Sequence, residues 1–297
     1  MARRKLTNNQ KRIAKQLAKS RWGMVILVLL VISSIIFMYF ESRKEPIDPS
    51  ADAEFHFIDV GQGDAAMIMT DEVHILVDCG TGEYADTVIE YVKKYTDTVD
   101  LFVFSHPHDD HMGGAADVMS ALEVKEVLMA DGGSDSKFFE RALDVIEEKD
   151  ITVTEAIAGK KYTCGDVNID VFSPAKDYED HNNNSIVMKA TVDGASVMFT
   201  GDAETPVESD VLKSYAGKLS SNVLKVGHHG STTSSSRAFV EAVDPDIAVI
   251  SCGEGNSYGH PHREIVALYS ELEIPTYRTD KEGDIVLICR DGKIEKK

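Results

Sequence analysis

The sequence predicts a mixed α/β (α+β) domain of two packed β-sheets with helices outside, preceded by one N-terminal transmembrane helix. Three observations carry this. Beyond residue 53, short β-type runs come first in succession and then alternate with amphipathic helical stretches. The 297 residues are 43% hydrophobic and 27% charged, which supplies a large core and excludes wholesale disorder. Residues 22–40 carry no formal charge, although the 21 residues before them hold eight Lys and Arg and no acid.

The apolar run Trp22–Phe40, WGMVILVLLVISSIIFMYF, has 19 residues. About 20 suffice to cross a hydrocarbon layer of ~30 Å. Trp22 and Tyr39 suit the two interfaces. A cleaved signal peptide would have a shorter run followed by small residues, whereas ESRKEP follows here. Arg3, Arg4, Lys5, Lys11, Arg12, Lys15, Lys19 and Arg21 precede the run, and only Arg43 and Lys44 lie just after it. The positive-inside rule then makes 1–21 a basic cytoplasmic tail, 22–40 a single-pass anchor in the cell membrane, 41–52 a polar linker and 53–297 one extracytoplasmic domain.

All 50 acidic residues lie beyond residue 40 with 23 basic ones, so 41–297 carries −27. That balance argues against a broad basic DNA-binding face. Cys79, Cys164, Cys252 and Cys289 are too few and too scattered for a disulfide scaffold and read as buried thiols.

Within the domain, FHFIDV, AAMIMT and HILVDCG read as three consecutive strands, the last two joined by a tight turn at Asp71-Glu72. A helix is expected near 84–96, with Val88, Ile89 and Val92 on one face, then a buried strand VDLFVFS ending at Ser105 and a Gly-Gly helix start. KEVLMA is a strand and 136–149 a helix. NSIVMKATV and ASVMFT form a hairpin around Asp193-Gly194. Helices near 204–216, 234–243 and 262–272 alternate with strands NVLKVG and DIAVISCG, and PTYR with DIVLICR reads as a last hairpin.

The loop after the buried strand is Ser105-His106-Pro107-His108-Asp109-Asp110-His111. Three of the chain's 10 histidines fall within six residues, spaced HxHxDH. A compact loop turns His106 and His108 to one cation and Asp110 and His111 to a second, and these donors suit Zn²⁺, Mn²⁺ or Fe²⁺. Asp202 follows the apolar run Val197-Met198-Phe199, and His228 stands just past a second one, so both emerge at strand ends.

DVGQGDA, VDCG, SHPHDDHMGG, NNNSIV, FTGD, LKVGHHGS and YGHP occur in that order between residues 59 and 261. Together they resemble the metallo-β-lactamase superfamily, and within it the extracytoplasmic domain of the ComEC DNA-uptake proteins and their stand-alone relatives. The resemblance covers about 54–290. It implies a four-layer αββα sandwich with two divalent ions, Zn²⁺ or Mn²⁺, at one edge, and no organic cofactor. On matching positions it implies His106 and His108 on the first metal, Asp110 and His111 on the second, Asp202 bridging, and His228 completing the second site. His181, four residues before Ser185, stands where the superfamily often supplies a further ligand; a solvated loop residue is the alternative. Asp59, Asp64 and Asp78 are expected near the metals as carboxylates that orient imidazoles. His229 is expected to turn away from the metals and cap a turn. His260 is expected in the site as a ligand or a donor to substrate, and with Asp110 is the candidate for catalysis.

Two divalent ions a few ångströms apart lower the pKa of a shared water and neutralise charge on phosphoryl oxygens. Asn182, Asn184, Ser231 and Arg237 are candidates to hold those oxygens, with the Ser231–Ser236 run opening a helix; a solvated loop with an N-cap is its bland alternative. The expected activity is cleavage of phosphodiesters by a nuclease acting on DNA, with envelope or DNA-uptake proteins as partners. The alternatives are a phosphorylcholine-esterase-like enzyme on small or cell-wall esters, a β-lactam hydrolase, and a non-catalytic subunit of an uptake or envelope complex.

Overall fold

The computed structural model describes residues 21–41 and 44–297, and within the first stretch the side chains of 23–34. Residues 1–20 of the expected basic tail, Arg43, and the side chains of Trp22 and Tyr39 lie outside it. The chain divides into two units, Met1–Glu45 and Pro46–Lys297. The first holds the helix Arg21–Glu41, whose side chains are exposed from Met24 to Ser34. Among the described residues, no helix is long and apolar enough to cross a membrane.

In the second unit the three consecutive strands expected, β1 (Ala53–Phe57), β2 (Ala66–Met69) and β3 (His74–Val77), form an antiparallel meander. β4 (Thr98–Val99) pairs separately with β6 (Glu123–Val124), while β5 (Leu101–Phe104), β7 (Glu126–Met129) and β8 (Thr152–Glu155) extend the meander in parallel. The second sheet runs antiparallel through β9 (Lys161–Cys164), β10 (Val167–Ser173), β11 (Val187–Val192) and β12 (Ala195–Phe199). It continues in parallel through β13 (Val223–Lys225), β14 (Ile247–Ile250) and β15 (Thr276–Arg278). β16 (Ile285–Arg290) and β17 (Lys293–Lys296) close the first sheet against β1.

The expected last hairpin is therefore corrected. PTYR is the edge of one sheet and DIVLICR lies in the other, because the turn Thr279–Glu282 and Gly283 carry the chain between layers. Residues 47–52 lie along this region: Ile47 is buried, and Asp48 accepts from Arg290 (2.9 Å).

Strand alternation builds the layers. Phe55, Phe57, Ile75 and Val103 face Met188, Val197, Phe199 and Val249 of the other sheet in a common core. Phe102 and Phe104 point the opposite way, against helices Ala85–Tyr95, Ala115–Ala121 and Lys137–Glu148. Met198, Leu224 and Ile250 pack under Thr205–Tyr215, Arg237–Val243 and Arg263–Glu271. This is a helix–sheet–sheet–helix sandwich. The four cysteines are free, three of them buried.

Candidate metal centre

Four strand ends meet at one edge. β3 runs into Asp78, β5 into Ser105 and His106, β12 into Asp202, and β13 into the turn Gly227–Gly230. The Ile186 N–H donates to the Ser105 carbonyl (2.9 Å), tying the sheets together there. Gly201 turns the chain after β12 with φ +49°; a Cβ there would lie 2.9 Å from Ser185 Oγ and 3.0 Å from Ser105 Cβ, so only glycine fits.

Asp202 faces four imidazoles. His111 Nε2 is 3.2 Å from its Oδ1, and His228, His229 and His106 Nε2 lie 3.6, 3.6 and 3.9 Å from its Oδ2. His108 stands beside His106, ring centroids 4.6 Å apart, and His181 lies exposed 5.7 Å from His108. Asp110 Oδ2 is 3.2 Å from His229 Nε2. Behind the rings, Asp78 takes hydrogen bonds from the Ser105 N–H (2.8 Å) and hydroxyl (2.6 Å) and sits 2.9 Å from His111 Nδ1. That contact aims His111 Nε2 at Asp202.

His106 Nε2, His111 Nε2, His229 Nε2 and Asp202 Oδ1 are buried without a well-aligned hydrogen-bond partner. Buried polar atoms of this kind call for an ion or water. Asp110, His111, Asp202 and His229 each offer one atom within 4.8 Å of the others, as do Asp64, Asp78 and His111. Imidazole nitrogen and carboxylate oxygen are fitting donors for divalent transition metals, so these residues can hold such ions.

The charges are strongly coupled. Burial alone would lower His111 and His229, but Asp202 with Asp78, and Asp202 with Asp64, outweigh it; His111 is held well above its ordinary value and His229 rises to about 10. His106, buried beside the charge of His111, is held well below. Burial would raise Asp110, but the close His229 ring and the His111 charge bring it down to about 2. Opposed shifts packed into one cluster are what a candidate functional site shows.

A cleft of about 230 Å³ opens over the cluster, lined by His108, Asp110, Asn182, His228, Tyr258 and His260 among others. His260 lies against His228 (centroids 5.6 Å) and stacks with Tyr258, and its Nδ1 has no partner. Burial and the neighbouring His229 and His228 lower it to about 4.

Several placements differ from the expectations. His229 does not turn away: it is buried, and its Nε2 points at Asp110 and Asp202, while its Nδ1 lies 3.2 Å from Asp64 Oδ1 and 3.1 Å from the Ser251 carbonyl. Asp59 is not beside the cluster; it accepts from the Gly61 N–H within its own turn (3.1 Å). Arg237 is exposed and paired with Glu241 and Glu271. The Ser235 and Ser236 N–H groups donate to the Glu208 carboxylate (2.6 and 2.8 Å), which occupies the helix start expected to receive phosphate. Ser231 Oγ is used by Thr233 within the same turn. Asn184 holds the Tyr178 backbone through both amide atoms, at 2.8 Å each. Lys225 escaped the sequence reading: its ammonium is buried 2.7 Å from Asp64 Oδ2. Strand alternation with Val223 was the signal that placed it inward.

A family model described as the Metallo-beta-lactamase superfamily matches residues 58–254. The chain is 29% identical over 256 residues to ComE operon protein 3 of Bacillus subtilis, covering 80% of this chain and 33% of that protein. It is 31% identical over 250 residues to competence protein ComA of Neisseria gonorrhoeae, covering 82% and 33%. The chain thus spans about a third of the length of these curated relatives. Among solved structures, the metallo-beta-lactamase fold protein YhfI of Bacillus subtilis superposes with a TM-score of 0.53 at 12% identity, over 83% of this chain and 100% of that one. Igni18, a metallo hydrolase of Ignicoccus hospitalis, gives 0.51 at 16%, over 82% and 98%. At such identities the likeness is one of fold.

Proposed function

The chain belongs to the metallo-beta-lactamase superfamily, and on that premise we propose that it is a membrane-anchored, extracytoplasmic, metal-dependent phosphodiesterase acting on DNA. The observation that carries the reading is the convergence of four imidazoles on Asp202 beneath an open cleft, with buried ring nitrogens lacking aligned partners. His106, His108 and His181 would hold one divalent ion, and Asp110, His111 and His228 or His229 a second, with Asp202 shared. Zn²⁺ or Mn²⁺ held there supplies a nucleophile at neutral pH and offsets charge on phosphoryl oxygens.

The chain's own residues position these groups. Asp78 and Asp64 engage the Nδ1 atoms of His111 and His229, which leaves each Nε2 directed at Asp202. His260 lines the cleft, where a ring N–H would donate to a phosphoryl oxygen. The Asn182 amide lines the same cleft.

The ordered motifs that resemble the ComEC DNA-uptake proteins support DNA as substrate and uptake or envelope proteins as partners, and one curated relative is named a competence protein. The charge of −27 on 41–297, and a cleft lining without Lys or Arg, favour a smaller phosphodiester as the second reading. The uncharged run 22–40 of the sequence supports the anchor, and the basic excess before it supports the orientation. Protease added outside intact cells should then digest the domain; full protection would reverse the orientation.

The direct test offers the full-length chain, with Mn²⁺ or Zn²⁺, single-stranded DNA, a bis-aryl phosphodiester and a chromogenic cephalosporin. DNA cleavage that disappears in Asp110→Ala and His108→Ala is the expected result. Cleavage of the small ester alone would transfer the assignment to the second reading, and activity surviving both substitutions would remove the metal mechanism.

A further inference from the structure

A second cavity, of about 310 Å³, shares a wall with the metal cleft. His106 and His181 line it, and their rings lie 4.6 and 5.7 Å from that of His108, which lines the cleft. A phosphodiester seated over the cluster therefore has one of its two substituents within reach of this cavity. Resting on the phosphodiesterase reading, we propose that the cavity receives a single unstacked nucleobase, which makes the substrate single-stranded.

The walls suit a flat heterocycle. Pro107, Met112, Met129 and Phe139 present apolar surface, and thioether sulfur packs favourably on aromatic rings. The mouth suits N–H donors: Asp131, Asp177 and Glu179 are exposed there, and carboxylates accept from the exocyclic amines of bases. No Lys or Arg lines the cavity, so a second phosphate is repelled from it and the sugar–phosphate chain has to pass outside. A quaternary ammonium group is a poorer occupant. It has no N–H to give the carboxylates, and of the three Phe and Tyr rings that line the cavity, Phe104, Phe139 and Tyr178, the last already carries the Lys176 ammonium 4.6 Å from its centroid. The volume lies at the low end of the ~300–1,000 Å³ range of small-molecule sites, enough for a base with its sugar and too little for a base pair. A base paired in a duplex would have to leave its stack to enter.

Gly133 offers the means to test this. A Cβ at 133 would lie 3.6 Å from Phe139 Cε1, an ordinary contact, so Gly133→Trp fills the cavity without a backbone clash. Two measurements on the full-length chain separate the outcomes. Saturation-transfer NMR with free deoxyguanosine, which carries no phosphate, reads the cavity independently of hydrolysis. Hydrolysis of the p-nitrophenyl ester of deoxyguanosine 5′-monophosphate is compared with that of methyl p-nitrophenyl phosphate, which releases the same leaving group.

The wild type should saturate the guanine protons, and Gly133→Trp should weaken that transfer and lower the ratio of kcat/KM for the two esters at least tenfold. Asp131→Asn with Glu179→Gln should erase a preference for deoxyguanosine over thymidine in the same NMR experiment. A nucleoside signal unchanged by Gly133→Trp, or displaced by choline, overturns the proposal. So does a fall in both ester rates at constant ratio. Hydrolysis of both esters without nucleoside binding rejects the base pocket and leaves the phosphodiesterase reading standing. Nucleoside binding abolished by Gly133→Trp, with neither ester hydrolysed, supports the pocket and rejects that reading.

Discussion

Replacing Lys225 by methionine keeps an unbranched apolar stem out to Cε and removes the ammonium, which also donates to the Val226 carbonyl (3.0 Å). In the folded protein that ammonium lies 2.7 Å from Asp64 Oδ2, with the two side chains 3% and 8% exposed. Without it, the nearest cation to that oxygen is His111 Nδ1 at 4.0 Å, while Oδ1 retains His229 Nδ1 at 3.2 Å. Removing one member of a buried pair costs about 3–5 kcal/mol, and the surviving contact to His229 places this case near about 3. For a domain of this size each kcal/mol moves Tm by about 2–4 °C, so Lys225→Met should melt about 6–12 °C lower. Calorimetry of wild type, Lys225→Met, Asp64→Asn and the double variant reads both the loss and the coupling. Asp64→Asn should partly restore the Lys225→Met protein, because it removes the unpaired charge. A drop below about 2 °C, or a double variant as unstable as the sum of the singles, would refute the argument that an unpaired buried carboxylate is the cause.

Three further outcomes are expected. Gly63→Ala places a Cβ 2.5 Å from the Asp110 carbonyl oxygen, so the loop bearing Asp110 must shift; metal affinity, measured by competition with a chromogenic chelator, should fall at least about tenfold, or about 1.4 kcal/mol, and an unchanged affinity would contradict the close approach. Asp78→Asn keeps the shape but weakens the hold on His111 Nδ1 and should cost about 10–100-fold in metal affinity, read by the same titration. Burial would raise Glu54, but His56, the Asp48 N–H and Lys297 outweigh it and bring it down to about 2. A depressed carboxyl stabilises the fold above its unfolded pKa of 4.5 and loses that contribution as pH falls towards 2. Urea midpoints of wild type and Glu54→Gln should therefore converge across that window, and parallel curves would exclude the linkage.

Much of the architecture was legible because it is written in local periodicity. The strands at 53–77 are short apolar runs set apart by turn residues, the Asp193-Gly194 turn has φ values of +49° and +84° as a tight hairpin demands, and the helices begin within a few residues of the expected positions. The hairpin expected at 275–290 failed for a physical reason. Two neighbouring β-type runs pair only if the turn between them returns the chain along the same sheet, and here Thr279 instead buries its hydroxyl against Cys252, at 2.9 Å from its N–H and 3.1 Å from its carbonyl, and sends the chain to the other layer.

The chain itself determined the cluster's chemistry: HxHxDH after a buried strand, an aspartate at the end of FTGD and a histidine pair in GHHG dictate donors for divalent ions wherever those strand ends meet. Which ring of the pair points inward was decided by tertiary structure. His228 and His229 both adopt left-handed backbone, at φ +49° and +53°, so neither helical nor strand periodicity assigns their directions. His229 turns in because Asp64, arriving from the opposite sheet and anchored by Lys225, receives its Nδ1. His228 is left at the mouth, with Nδ1 held by Thr233 at 2.9 Å. The same holds for Arg237 and the serine run, whose charge and amides suggested phosphate until the fold supplied Glu271 and Glu208 as their partners. Spacing along a chain states what a segment can offer, whereas the partner that takes up each polar group comes from residues tens of positions away and exists only once the layers have closed.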